Sequence, residues 1–262
     1  MLKSVYMIAF GGILRREFQR FIYQRTRFFS ALVRPLLWLL VFAAGFRSAL
    51  GIAIIPPYAT YITYEHYIAP GLVAMILLFN GMQSSLSMVY DREMGSMKVL
   101  LMSPLPRNFL LFAKILASSL VALPQIYVFF FIAWLLRIEP PLLGYLMVVP
   151  ALLLTGVMVA ALGLVLASLA KQLENFAGIM NFVIFPMFFL SSALYPLWRM
   201  RESSEWLYWI CLANPFTHAV ELIRFALYGQ FNLLATCVVA GACLSLILWA
   251  MYCFDPQKGL RT

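Results

Sequence analysis

The 262-residue sequence is poor in charge. Lys, Arg, Asp and Glu make up 11% of its residues, against roughly 25% in soluble globular domains. Hydrophobic residues make up 64%, and the mean hydropathy is +0.90. These values exclude a soluble domain and indicate a membrane protein with several transmembrane helices. Low-complexity runs, Ser/Gly-rich linkers and short repeats are also missing, so we predict a single membrane domain over residues 1–262.

The motifs of nucleotide and hydrolytic chemistry are missing too. The sequence has no G-x-x-x-x-G-K-[ST] phosphate loop, no G-x-S-x-G and no H-E-x-x-H. Its four cysteines have no paired spacing and no neighbouring His cluster, which favours packing roles over a metal site. We therefore expect no catalytic residue, no metal and no cofactor in this chain.

Acidic residues are scarce, and all ten lie in loops, near the ends of apolar stretches or in the segment after the fifth stretch. Transporters driven by ion gradients generally carry an ionisable residue at membrane depth. A transporter with this sequence would therefore take its energy from another protein. Two alternatives stay open, an ion-gradient-driven secondary transporter and an integral membrane lipid-modifying enzyme. The enzyme would need a catalytic cluster around His66 with Glu65, or around His218 with Glu221.

Six apolar stretches are long enough to cross a hydrocarbon core of about 30 Å, which takes about 20 helical residues. We predict an all-α integral membrane fold with transmembrane helices at 32–50, 67–89, 109–136, 142–170, 175–194 and 233–254. Loops rich in Lys and Arg stay in the cytoplasm. Both termini are then cytoplasmic, because this orientation places twelve basic residues inside: Lys3, Arg15, Arg16, Arg20, Arg25, Arg27, Arg92, Lys98, Arg107, Lys171, Lys258 and Arg261. Arg137, Arg199, Arg201 and Arg224 fall outside, and Arg34, Arg47 and Lys114 are left uncounted because they lie at helix ends. The net charge of +9 indicates contact with anionic lipid rather than nucleic acid.

The first basic segment, residues 4–29, predicts an amphipathic interfacial helix rather than a cleavable signal peptide, since no small-residue cleavage site follows. Helical winding places Arg16, Arg20 and Arg27 opposite a broad apolar face. Such a helix anchors the chain to the lipid surface, and its arginine edge is also free to touch a cytoplasmic partner.

Residues 90–107 form a charged piece between two apolar stretches. Asp91 and Glu93 lie at its start, and Lys98 lies further along. An apolar stripe that includes Leu101 follows the two acidic residues, and the helical pattern ends at Ser103-Pro104. Acidic residues at the start and a basic residue later complement a helix dipole. We predict a short helix there, either an ordinary interfacial loop helix or a docking element for another protein.

Three regions of the sequence resemble ABC-2 type transporter permeases. They are E-M-G-S-M-K-V-L-L-M-S-P-L-P-R from Glu93 to Arg107, R-R-E-F with the later R-P-L-L-W-L-L-V-F, and N-P-F-T-H-A-V-E-L-I-R-F-A-L-Y-G from Asn214 to Gly229. The resemblance implies a permease subunit of an exporter in the bacterial cytoplasmic (inner) membrane. It implies a coupling helix between helices 2 and 3 that docks a separate ABC ATPase, which would hold ATP and Mg, and it implies a second permease copy as partner in a homodimer. The coupling residues it implies are Asp91, Arg92, Glu93, Gly95, Ser96, Lys98, Leu101, Ser103, Pro104 and Arg107.

The resemblance also implies alternating access, with helices 2 and 5 lining the path of an amphiphilic, lipid-linked or glycan-type substrate. Candidate path residues are Asn80, Gln83, Asn181, Phe185 and Phe189, although hydrogen bonds between helices would equally explain the polar ones.

Residues 196–231 would form short re-entrant helices between helices 5 and 6, with the rings of Trp198, Trp206, Tyr208, Trp209, Phe216 and Phe225 at the outer interface. We predict that Asn214 caps a helix that Pro215 begins. His218, Glu221 and Arg224 recur at three-residue spacing and can pair on one face, for a structural or a gating role.

Overall fold

The structure is a computed structural model that describes residues 2–23, 25–46, 56–58, 62–94, 105–170 and 172–253. These ranges are mainly helical, because long apolar runs satisfy their backbone hydrogen bonds internally only as helices. In chain order the helices are α1 (Leu2–Tyr23), α2 (Arg25–Phe46), α3 (Tyr64–Glu93), α4 (Arg107–Leu135), α5 (Gly144–Met147), α6 (Val149–Leu169), α7 (Leu173–Phe189), α8 (Leu197–Ser203), α9 (Glu205–Ala213), α10 (Pro215–Leu227) and α11 (Leu233–Cys253).

Within the described ranges, four helical stretches are long and apolar enough to cross a membrane: Tyr64–Asp91, Arg107–Leu135, Gly144–Leu169 and Leu233–Cys253. Leu32–Phe42 and Asn175–Phe189 are apolar but shorter. The predicted all-helical membrane class is confirmed, whereas the number of six spans stays a prediction. The end of the first predicted span, residues 47–50, lies outside the described residues.

Helices α3 and α6 form the centre of the bundle, and α2, α4, α7, α10 and α11 pack around them. Small residues let the central helices approach closely. A side chain at Gly163 of α6 would meet the Ser85 hydroxyl and the Gly81 carbonyl of α3. Helix association in membranes depends on this kind of close backbone packing, since lipid leaves little hydrophobic driving force.

Three helix boundaries differ from the sequence pattern. Helix α1 ends at Tyr23, and residues 25–29 belong to α2, where no Gly or Pro interrupts the chain before Pro35. The fourth apolar stretch divides into α5 and α6, next to Pro150. Helix α7 ends at Phe189, five residues before the predicted end of the fifth span. The backbone after α7 instead forms turns through residues 190–194, of which 191–194 are buried.

Candidate functional site

A cluster of charges, which we call the inner junction, joins α1, α3 and α4 through Arg16, Arg20, Asp91 and Lys114. Asp91 is only 2% exposed. Its carboxylate accepts two hydrogen bonds from Arg20, at 2.7 and 3.3 Å, and lies 3.5 Å from the Lys114 ammonium. Arg16 is 3.8 Å away. The hydrogen bond to Asp91 holds the pKa of Arg20 above its ordinary value, so this guanidinium stays charged. A bidentate pair of this kind fixes orientation as well as distance.

The inner junction corrects two expectations from the sequence. Asp91 does not lie at the start of a coupling helix, because α3 continues through Glu93 and places Asp91 in its last turn. Arg16 and Arg20 do not form a free edge, because their four-residue spacing directs both toward Asp91 of α3. The exposed face of α1 is largely apolar, with Met7, Ile8, Phe18, Ile22 and Tyr23. This face suits contact with lipid.

Two further contacts connect the ends of the segment 95–104 to distant helices. The Glu93 carboxylate accepts a hydrogen bond from the Leu173 backbone N–H at 2.7 Å, at the start of α7. A carboxylate at this position also complements the helix dipole. On the other side, Arg107 donates to the Met251 carbonyl of α11 at 3.4 Å. Glu93 and Arg107, which flank the segment in the sequence, are therefore fastened to α7 and α11.

Several predicted residues of this region lie outside the described part of the structure. They are Gly95, Ser96, Lys98, Leu101, Ser103 and Pro104, together with the side chains of Arg92 and Arg27. Their predicted roles in coupling, and that of Arg27 in the interfacial helix, stay predictions.

The polar candidates for the path on α3 face α4. The Asn80 side-chain amide donates to the Gln125 side chain of α4 at 2.6 Å and to the Ile76 carbonyl at 3.0 Å. Gln83 lies nearby, at a cavity of about 40 Å³ that Asn80, Glu17, Arg20 and Ser118 also line. A cavity of this size has room for water but not for a large substrate. For Asn80 the structure thus shows the hydrogen bond between helices.

The candidates on α7 lie on a different surface. Asn181, Phe185 and Phe189 are exposed, and Phe182 beside them is 80% exposed. Phe185 stacks on Phe189, whose ring also meets Trp38 of α2. An exposed amide among phenylalanines on a membrane helix needs a polar partner, because lipid supplies none. This surface, unlike that of Asn80, is open to a second molecule.

At the opposite end of the bundle, side-chain donors satisfy the carbonyl groups that follow the early end of α7. Asn214 donates to Met187 O and Leu190 O at 2.8 and 2.7 Å. Tyr67 donates to Ser192 O at 3.0 Å and Tyr64 to Leu194 O at 2.9 Å. Irregular backbone at membrane depth is stable only when protein groups pair with it in this way. We call this arrangement the outer junction.

Arg224 of α10 completes the outer junction and is 2% exposed. It forms an ion pair with Glu221, donates to Ser192 O at 2.9 Å and lies 4.0 Å from the centre of the Tyr67 ring. A buried cation requires this combination of an opposite charge, carbonyl acceptors and an aromatic face. The predicted pairing of Glu221 with Arg224 is therefore present. His218 instead meets the Leu212 carbonyl at 3.0 Å, so it does not extend the pair.

Some predicted features of residues 196–231 are confirmed by the structure, and one is wrong. The Asn214 side chain accepts from Phe216 N at 3.0 Å and caps α10, which Pro215 begins, as the sequence predicts. Trp206 and Trp209 are exposed, at 82% and 57%. Phe216 was expected at the outer interface but is fully buried. The reason is that α10 packs into the bundle against α3, α6 and α11.

Sequence reasoning missed Tyr64, Tyr67 and Gln125. Gln125 left a signal, since an amide within a long apolar run needs a partner. The two tyrosines left a weaker one, because Tyr at the end of a membrane helix is ordinarily interpreted as an interfacial residue. Lys114 was set aside as a residue near a helix end, although it is one of the cations around Asp91.

The apolar helices and the two polar junctions define a multi-pass membrane protein whose described part has its charged clusters at the ends of the bundle. Comparison with known families then identifies it. The model of the ABC-2 type transporter family matches residues 9–228. The chain belongs to this family and is a permease subunit of an ABC transporter.

Individual relatives agree with the family assignment. The "Putative transport permease ycf38" of Cyanophora paradoxa is 28% identical over 75% of this chain and 66% of that protein. The "Probable multidrug ABC transporter permease YbhR" of Escherichia coli (strain K12) is 29% identical over 64% of this chain and 45% of that protein. "Nodulation protein J" of Rhizobium leguminosarum bv. viciae is 30% identical over 44% of this chain and 40% of that protein. These matches span at most about two thirds of the relatives' own lengths.

Proposed function

We propose that the chain is the membrane half of an ATP-driven exporter, in which a separate ATPase docks on segment 95–104 and Asp91, Glu93 and Arg107 hold this segment to the bundle. The observation that carries the proposal is the anchoring of this segment. Its start is fastened to α1, α4 and α7 by Asp91 and Glu93, and its end to α11 by Arg107. A push on such a segment would act on several membrane helices at once. We expect the ATPase partner because the chain belongs to the ABC-2 type transporter family.

We propose the orientation with both termini in the cytoplasm of a bacterial cell, on the side of the inner junction. Arg16, Arg20 and Arg107 all lie at the end of the bundle where α3 ends and α4 begins. Basic residues near membrane helices favour the cytoplasmic side. Segment 95–104, which connects α3 with α4, would then face the ATPase.

The docking role is best tested within segment 95–104. Glu93→Arg is a poor test, because it would also break the contact with Leu173 N at the start of α7. We expect Lys98→Glu and Leu101→Asp to abolish co-purification with the ATPase while the permease keeps its thermal unfolding midpoint. Glu202→Arg, on an exposed residue of α8, is the matched control and should retain the complex. A complex that survives both changes in the segment would contradict the proposal.

We also propose a homodimer in which α7 faces its counterpart along the substrate path. Exposed Asn181 beside Phe182 and Phe185 supports this arrangement, since an amide can pair with the amide of a second copy. In a cysteine-free background, Asn181→Cys should give a disulfide between copies under mild oxidation. Phe131→Cys, at a 60% exposed position of α4, should not. Equal crosslinking at both positions would indicate random collision instead.

The proposed cargo is an amphiphilic, lipid-linked or glycan-type molecule moved outward by alternating access. The exposed rings of Phe182, Phe185 and Phe189 support an amphiphile, because aromatic faces bind acyl chains and sugar rings alike. Reconstituted complex should show ATP hydrolysis that such a molecule stimulates. Transport driven by a proton or sodium gradient without ATP would instead favour a secondary transporter.

A further inference from the structure

We propose that Asp91 is a positioning residue of the transport cycle, which holds the start of the coupling segment to α1 and α4 so that the three move together. This inference rests on the proposed function, because it assumes that an ATPase moves residues 95–104. It adds a role for α1 beyond attachment to lipid. Helix α1 becomes a part of the moving unit.

The argument begins with burial. A carboxylate that is 2% exposed is stable only with charged or hydrogen-bonding partners, since its desolvation is costly. Arg20 supplies two hydrogen bonds from α1, and Lys114 supplies a charge from α4. Arg20 and Lys114 belong to two different helices, and neither belongs to α3. If α1 or α4 moved away from α3, the buried Asp91 carboxylate would lose one of its partners.

Asp91 lies close in the sequence to the segment that the ATPase would move. It is four residues before Gly95, where the coupling segment continues from the end of α3. A displacement of that segment passes through Glu93 and Arg92 and reaches Asp91 before it reaches the earlier turns of α3. The bidentate pair with Arg20 resists both separation and rotation. The α1–α4 contact through Tyr6 and Phe109, whose rings are 4.8 Å apart, gives a second attachment on the same side.

The charges around Asp91 allow variants that distinguish a positioning role from an effect on the stability of the fold. Around Asp91 stand Arg16, Arg20 and Lys114, with Glu17 as a second carboxylate beside Arg16. Asp91→Asn keeps the size of the side chain and removes its charge. Lys114→Met in the same chain removes one cation, so the double variant restores the original balance without restoring the link.

The experiment uses the complex of permease and ATPase in nanodiscs, with spin labels at Phe18→Cys on α1 and Phe112→Cys on α4 in a cysteine-free background. Both positions are exposed, at 41% each. In the otherwise unchanged protein, the distance between labels should stay the same when ATP is trapped. In Asp91→Asn and in the double variant, trapping ATP should shift or broaden this distance. The stimulation of ATP hydrolysis by the permease should fall by about five- to tenfold, which is the range of a modest coupling between sites.

Asp91→Glu should recover most of the stimulation, because it keeps the charge that Arg20 requires. Co-purification of the ATPase serves as the separate readout for the proposed function and should persist in every variant. An α1–α4 distance that changes with ATP in the unmodified chain would overturn the positioning role. Unaltered stimulation in the folded double variant would overturn it as well. Loss of the ATPase from the unmodified complex would instead refute the docking function.

Discussion

The inner and outer junctions both contain an ion pair with one buried member, but they differ in the exposure of the cation. At the inner junction, Asp91 is buried but its partners Arg16 and Arg20 keep 39% and 31% of their side chains exposed. At the outer junction, Arg224 is almost fully enclosed and bonds to backbone carbonyls as well as to Glu221. The partly exposed arginines of the inner junction keep contact with water, which lowers their desolvation cost, whereas a fully enclosed cation that loses its partners is costly. The outer end is therefore suited to fixing the fold, and the inner end to transmitting movement.

The largest effect should follow from Arg224→Met. This change leaves Glu221 without its cation and removes a donor from the carbonyl of Ser192. Breaking one side of a buried pair costs about 3–5 kcal/mol. The apparent unfolding free energy in detergent should fall by that amount, while the exposed Arg201→Met should change it by less than about 0.5 kcal/mol. Equal losses in the two variants would remove the contrast between buried and exposed charges.

Gly144→Ala tests the packing beside the outer junction. An added methyl group at Gly144 would overlap the Leu227 carbonyl at the end of α10, which is backbone and cannot rotate away. Overpacking of this kind costs about 1–3 kcal/mol. Gly241→Ala is the matched control, because nothing lies within 4 Å of its added methyl group. Thermal unfolding should show a loss only at position 144, and a loss at 241 instead would contradict the packing of α5 on α10.

Asn214→Ala should cost about 1–2 kcal/mol, since it removes the cap of α10. The same side chain also donates to Met187 O and Leu190 O, so the loss should affect the end of α7 as well. Hydrogen exchange should then rise in residues 187–194. Asn232→Ala, which removes a different side-chain acceptor at the start of α11, should raise exchange there and not at α7. Unchanged exchange at 187–194 would show that the backbone there does not depend on Asn214.

The smallest effect is expected at the inner end from Glu93→Gln. Glutamine keeps an oxygen for Leu173 N but loses the charge that complements the dipole of α7. An exposed carboxylate at a helix start contributes about 0.3–1 kcal/mol. The difference in unfolding free energy should shrink further at about 1 M salt, where exposed charges are screened. A large loss of unfolding free energy that does not depend on salt would mean that Glu93 acts as a buried charge. It would then contradict the difference between the inner and outer junctions.

Local features could be predicted from the sequence. The apolar runs, the cap at Asn214 and the Glu221–Arg224 pair each depend on residues within one helix or next to it. The family resemblance at 93–107 and 214–229 is likewise a property of contiguous residues, and the family match over 9–228 confirms it.

The junctions themselves could not be predicted, because their partners are far apart in the sequence. Arg20 and Asp91 are 71 residues apart, and Arg224 lies 157 residues from the Tyr67 carbonyl to which it donates. Charge alone left many possible partners for Asp91. The early end of α7 was also hidden, since residues 190–194 are apolar or small and continue the hydrophobic run. Only the donors on α3 and α10 reveal why the helix can stop there.

The early end of α7 has a consequence for the bilayer around it. Its 17 residues correspond to about 25 Å of helix, whereas the hydrocarbon layer is about 30 Å thick. Where lipid meets this helix, the acyl chains must shorten or the helix must be shielded by protein. The proposed second copy shields one side of α7, so short-chain lipids should settle preferentially beside the side that it leaves uncovered.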